Sequence, residues 1–461
     1  MSTDTDKPTT PKLRTILSYL VPSLANCQVG FSTVSISGFQ AMTGFLSTYG
    51  HLEPSTPTGW NMGLIPQQLA ASFVNFGTIL GILLSHPLRH YLSCRHGLWL
   101  ACVVSVIGSG LQFQHSAVGG LYARRIIIGL SNGLLMGFAN PYTAESAPAH
   151  LREKVTSLFA VWFYAGGVLG AVTNNFTQGL GTSWAFKVPL TCHITIPSLL
   201  LVLVAFIPES PPWLLAHGRG DVARISLSIL RGHAQHTSQP VNIDVIEKEL
   251  LEIQNSIDSQ RSSKSKSKPK QSHLKKYLTL FNPTNRLRTL LCLALLSTNS
   301  SSGIWLMLSY GTVFFQLSGV PHPFHASIYS NFANLLGTVL GMYLSVKMGM
   351  RNRRRVMIFG YLVQAACMLG IGLTSSVISD SKCAGIIILI CVLMHGFAYF
   401  AFSASLAARL ACEMVDTQYQ GEAVELGTGV NYVTACKFTA TDILYLQSHF
   451  IGEDGLEVNK L

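Results

Sequence analysis

Ten times along this chain an uncharged run comes close to the ~20 residues that an α-helix needs to cross the ~30 Å hydrocarbon core of a bilayer. The runs fall at about residues 15–36, 66–86, 97–114, 126–141, 155–175, 188–207, 289–316, 324–346, 356–374 and 384–408. A further stretch, roughly 423–447, contains Glu425, Lys437 and Asp442. Each of these would cost about 2.5–3.5 kcal/mol at mid-bilayer on insertion scales. With 48% apolar and 11% charged residues among 461, the chain has too little polar surface to cover soluble domains. The expectation is an all-α integral membrane protein of about 11 spans, and the chain ends about a dozen residues after the last of them with no twelfth in view. A shortened reading frame, a true truncation or a degraded protein would each give this ending.

The loops set the orientation. Basic residues gather in the gaps holding Arg89 and Arg95, Arg152 and Lys154, in the 208–288 stretch and in "KMGMRNRRR", whereas gaps 47–65, 115–120 and 317–323 contain no Lys or Arg. By the positive-inside rule the N-terminus and the centre face the cytoplasm. The opening "MSTDTDKPTTPKLR" is a polar tail, and the first apolar run is too long for a cleavable signal. The "NFT" sequon at Asn175 then falls outside as a candidate glycosylation site. The net charge of +11 is spread over alternate cytoplasmic loops, an arrangement that argues against nucleic acid as a partner. The ten cysteines lie mostly within spans and lack metal-ligand spacing, so they read as small apolar fillers.

The division is a tail (1–14), a first bundle (15–207), a cytoplasmic bridge (208–288), a second bundle (289–447) and a tail (448–461). In the bridge, "IDVIEKELLEIQNSI" places Ile243, Ile246, Leu250, Leu251 and Ile253 at helical spacing, which predicts an amphipathic surface helix. The "RSSKSKSKPKQSHLKK" that follows, with seven basic residues, reads as a disordered linker, either a solvated charge run or an attachment to anionic lipid at the cytoplasmic leaflet. "GTILGILLS" from Gly77 and "GTVLGMYLS" from Gly337 occupy the same slot in the two bundles, which points to duplication. Gly77 and Gly81, Gly129 and Gly133, Gly166 and Gly170, and Gly337 and Gly341 each lay a smooth strip along a helix face for close packing.

"YTAESAPAHLR", between the fourth and fifth spans, resembles the YxxExxPxxxR signature of the sugar porters of the major facilitator superfamily. Arg125 with Gly129 is similar to the GRxxxG opening of their fourth span, and "PESPPWLL" resembles the PESPRWL that ends their sixth. "GFSTVSISGFQAMTGFLSTYG" and "SGIWLMLSYGTVFFQLSG" are similar to spans one and seven of fungal hexose and α-glucoside permeases, and the resemblance covers about residues 15–440. It implies the major facilitator fold, two six-helix bundles with pseudo-two-fold symmetry, here with the last helix missing. It also implies cytoplasmic gating ion pairs, with Arg125, Glu145, Arg152 and Glu209 in the first half. In the second half Glu413 matches the family acid while Gln420 stands where its partner arginine would be.

In span one Ser32 replaces the aspartate of the proton-linked members, leaving His193 and His395 as the titratable candidates within confident spans. The family's paired glutamines fall at Asn299 and Ser300 and its asparagine at Trp305, while Tyr310, Asn334 and Asn431 complete a candidate solute path of amides and aromatics. The expectation is a plasma-membrane transporter that moves a sugar or similar small polyhydroxylated solute by alternating access, with no catalytic residue, cofactor or metal. Two alternatives stay open: an exporter of secondary metabolites, and a sensor-like or degraded relic that does not transport.

Overall fold

The structure, a computed structural model, describes residues 13–54, 59–114, 118–148, 152–180, 182–231, 243–266, 280–283, 285–377, 381–415, 423 and 426–437. All ten apolar runs form long helices. In the first half these are α1 (Leu13–Phe39), α3 (Leu64–Tyr91), α4 (Cys94–Leu111), α5 (Val118–Ser146), α6 (Arg152–Thr177) and α7 (Trp184–Val204). A short α2 (Thr43–Tyr49) and a two-residue antiparallel ribbon pairing His51 with Asn61 and Leu52 with Trp60 fill the outer loop, the one described departure from an all-helical chain. On the cytoplasmic side lie α8 (Pro211–Ala216), α9 (Gly220–Leu230) and α10 (Ile243–Lys266).

The second half holds α11 (Arg286–Ser301), α12 (Ile304–Leu317), α13 (Pro323–Lys347), α14 (Met350–Val377) and α15 (Ser381–Ala398). A π-helical turn, Tyr399–Ala404, joins α15 to α16 (Ser405–Met414). Residues 426–437 are helical within the eleventh stretch, and the rest of that stretch lies outside the described residues. Helices α11 and α12 are a single span broken at Ser302 and Gly303, where Gly303 takes φ +82°, a left-handed conformation open to glycine without cost.

Seven helices among the described residues are long and apolar enough by themselves to cross a membrane. α1, α5 and α13 match them in length but carry more polar side chains, and those side chains point inward. Asn26, Gln28, Ser32 and Ser35 of α1, Ser131 and Asn132 of α5, and Asn331 and Asn334 of α13 are all buried. In a bilayer, polar groups belong where neighbouring helices satisfy them. The glycine strips act as spaced: α3 meets α5 so closely that a Cβ at Gly77, Gly81, Gly129 or Gly133 would run into the backbone of the facing helix. Gly166 of α6 is pressed in the same way against Cys27 of α1.

The bridge helix α10 lays Leu250, Ile253 and Ile257 against Trp213, Leu214, Leu215 and Ala223. Ile246 is buried with them, whereas Leu251 is 60% exposed and sits off the apolar face. Helix α10 continues through Lys266, so the first residues of the expected linker are helical, and residues 267–279 lie outside the described residues.

Candidate functional site

Span seven breaks where its candidate polar residues cluster. Trp305 donates its indole N–H to Ser300 Oγ at 3.0 Å, and Ser300 lies 2.6 Å from Asn431 Oδ1 and 2.8 Å from the Asn431 carbonyl, where its single hydrogen is donated. These three residues therefore satisfy one another. Asn299 beside them keeps a buried Oδ1 without a partner. The wall around this triad is aromatic: Tyr432 packs 6.0 Å from Trp305, and Tyr164 of α6 lies with its ring centre 4.2 Å from that of Phe400 in the π-helical turn, the two rings tilted at 53°. His395 Nε2 lies 3.0 Å from the Ser302 carbonyl at the break. Since a carbonyl only accepts, that ring nitrogen carries the hydrogen.

The other solute candidates lie elsewhere. Tyr310 is fully buried and packs with Ala71 of α3 and Leu306, in the seam between halves rather than in the triad. Asn334 turns its Oδ1 toward Gly396 of α15, inside the second half, where a Cβ would collide with it.

That seam joins the two halves at the C-terminal end of α1. Ser37 Oγ of α1 accepts the Thr312 backbone N–H at 3.0 Å and lies 3.1 Å from the Thr312 hydroxyl. Phe324 of α13 enters the apolar cluster of Ile36, Phe39, Phe45 and Phe186. Closer to the membrane centre Tyr432 donates its hydroxyl to Met136 Sδ at 3.4 Å.

At the cytoplasmic ends of the first half, Glu145 pairs with Arg89 at 3.0 Å and accepts from Ser210 Oγ at 2.5 Å. Glu209 accepts from Ser93 Oγ at 2.7 Å and from the Arg95 backbone N–H at 3.2 Å, with His96 Nδ1 3.7 Å away. Tyr142 donates to the Pro208 carbonyl at 2.8 Å. Arg231, at the end of α9, bonds the Glu249 carboxylate of α10 and donates to the Ser146 carbonyl of α5 at 3.0 Å. Burial opposes the charge on Arg231, but the Glu249 carboxylate and Tyr19 outweigh it and hold the guanidinium above its ordinary value. This network binds spans two, three and four of one bundle to the segment after span six and to the bridge helices.

Arg125 does not belong to that network. It lies 20 residues from Glu145 on one helix, which at 1.5 Å per residue is about 30 Å, at the outer end of α5 beneath Phe39. The Arg152 and Glu413 side chains lie outside the described residues. His193 sits in the interior of the first bundle, with Nδ1 2.7 Å from Ser109 Oγ and 3.1 Å from Gln28 Nε2. Ser32 accepts from Asn132 Nδ2 at 3.2 Å. Asn175 falls in the last turn of α6 rather than in a loop, and its side-chain oxygen accepts from Gln178 at 3.0 Å.

Several participants were not among the sequence candidates: Arg89, Ser93, Ser210 and the Arg231–Glu249 pair. In the second half Arg353 and Arg409 both donate to the Ser345 carbonyl, at 3.2 and 2.6 Å. The glycine strips held one usable signal. They lay α3 beside α5, so the residues that follow Gly81 and Gly133 toward the same membrane face, Arg89 and Glu145, are neighbours.

A family model described as sugar (and other) transporter matches residues 18–441. The probable glucose transporter rco-3 of Neurospora crassa is 26% identical over 345 residues, which cover 74% of this chain and 55% of that protein. The major facilitator-type transporter ecdD of Aspergillus rugulosus is 25% identical over 359 residues, 78% of this chain and 63% of that one. The chain thus spans less than two thirds of either relative. Among solved structures, a partially occluded inward-open conformation of the xylose transporter XylE from E. coli aligns with a TM-score of 0.73 at 20% identity, covering 94% of this chain and 92% of that chain.

Proposed function

This chain belongs to the sugar (and other) transporter family, and from that premise we propose that it carries a sugar or a similar small polyhydroxylated solute across the plasma membrane by alternating access. One observation carries the reading. The halves are joined by side-chain and backbone bonds at their outer ends, through Ser37, Thr312 and Phe324, while the broken span places polar and aromatic groups deeper along the same seam. An outer seal over a central site is one of the two states that such a carrier must visit. The solute gradient drives the cycle, because Ser32 holds Asn132 through a hydroxyl and cannot exchange a proton near neutral pH. The basic run after Gln260 attracts anionic lipid at the cytoplasmic leaflet. The test is counterflow of labelled hexose into liposomes containing the purified chain. Accumulation above protein-free liposomes is expected, and its absence across a panel of hexoses, pentoses and polyols would overturn the reading.

A second reading, export of a less polar metabolite, is favoured by the triad itself. With the hydrogens of Trp305 and Ser300 already donated within the protein, the aromatic wall offers ring faces more freely than hydroxyl partners. Trp305→Asn removes the indole and should raise hexose counterflow relative to an aryl glucoside. An unchanged ratio would leave the second reading without support.

A further inference from the structure

Among the described residues, none balances the charge of Arg125. The residue is 2% exposed, and Nε and Nη2 have no hydrogen-bond partner among the described residues. The guanidinium carbon stands 5.8 Å from the centre of the Phe39 ring. Among the described residues, the ionisable groups that act on it are Tyr49, Arg124 and His193, none of them a carboxylate. Arg124, next in the chain, directs its own guanidinium to the carbonyls of Gly120, Leu111 and Gln114. The apolar cluster that includes Phe39 also contains Met42, Leu121, Phe186 and Phe324.

A guanidinium in such surroundings is costly unless it is paired, and the face of one ring recovers only part of what water would give. Nε–H and one hydrogen of Nη2 lie along the same edge of the planar group, the edge that grips a carboxylate with two parallel hydrogen bonds or cradles a halide. Both donors on that edge are the unpartnered ones.

We propose that Arg125 forms a buried site for a small monovalent anion, held by the Nε and Nη2 edge and covered by Phe324 while the outer seal is closed. The shared chemistry is one negative charge on a compact group, supplied either by a free halide or by the carboxylate of an acidic solute. Parting of Phe324 from the first bundle, as the outer side opens, gives the anion its way in. The site stands or falls independently of whether neutral sugars are carried.

The test uses the full chain in detergent, with its unfolding midpoint followed as sodium chloride or sodium glucuronate replaces the bulky salt sodium isethionate at constant ionic strength. Binding to the native state raises the midpoint saturably. A rise in chloride alone assigns a free ion, a rise in glucuronate alone assigns a carboxylate, and a rise in both assigns the shared site. Arg125→Gln should abolish the rise. Should that variant fail to fold, equilibrium binding of radiolabelled chloride and glucuronate to the unaltered chain decides the matter. Equal midpoints in the three salts with no bound label, or a full rise retained in folded Arg125→Gln, would overturn the proposal.

Discussion

At the scale of single residues, the cytoplasmic ends show how strongly environment decides the worth of a charge. Glu145 and Arg89 are 27% and 33% exposed, so their attraction is screened, and pairs of this kind contribute about 0.2–1 kcal/mol. The Ser210 hydroxyl adds a charge-assisted bond to the same carboxylate. A thermal-stability cycle with Arg89→Ala, Glu145→Gln and the double variant should therefore give a coupling of about 1 kcal/mol or less, with the double variant no worse than the sum of the singles. Strict additivity would mean that the pair contributes nothing. Sequence reading named Glu145 and Glu209 as candidates for a gating network with Arg125 and Arg152 but did not name Arg89, which lies 56 positions from Glu145 and is brought to it by helix packing. Arg125 was misplaced for a related reason: its motif marks the opposite end of the helix from the acid.

At the scale of elements, the break in span seven is the feature that periodicity could not show. The stretch around Ser302 and Gly303 is uncharged and reads as continuous apolar sequence, yet the chain turns through a left-handed glycine and restarts as α12. The His395 bond to the Ser302 carbonyl stabilises that turn by satisfying a group that helical bonding leaves open. Gly303→Ala should cost about 1–2 kcal/mol, the penalty for a side chain in left-handed conformation, with the Met368 methyl also displaced. A lowered unfolding midpoint of the purified variant is expected, and an unchanged one would show that the turn relaxes into ordinary helix. Elements defined by length and composition were the most legible, as all ten apolar runs are helical, two of them with an interruption. The amphipathic bridge helix was legible in type but not in extent, because the helix runs on into the Ser- and Lys-rich segment. Leu251 fell on the wrong face because, at 3.6 residues per turn, it lies about 100° around the helix from Leu250, on the side away from Ile246 and Ile253.

At the scale of the whole molecule, the two halves touch through Ser37, Thr312 and Phe324, and in the proposed cycle they part there for a solute to enter. The paired "GTILGILLS" and "GTVLGMYLS" fall on α3 and α13, the second long helical span of each half. Which side is shut was not visible, because that depends on contacts between residues some 275 positions apart, such as Ser37 and Thr312. Their hydroxyl oxygens lie 3.1 Å apart, so a cysteine pair at these positions is placed to cross-link. The most direct test is therefore Ser37→Cys with Thr312→Cys in proteoliposomes, with solute entry measured before oxidation, after oxidation and after reduction. Oxidation should abolish entry in the double variant alone and reduction should restore it. Undiminished entry through a fully cross-linked protein would contradict the account.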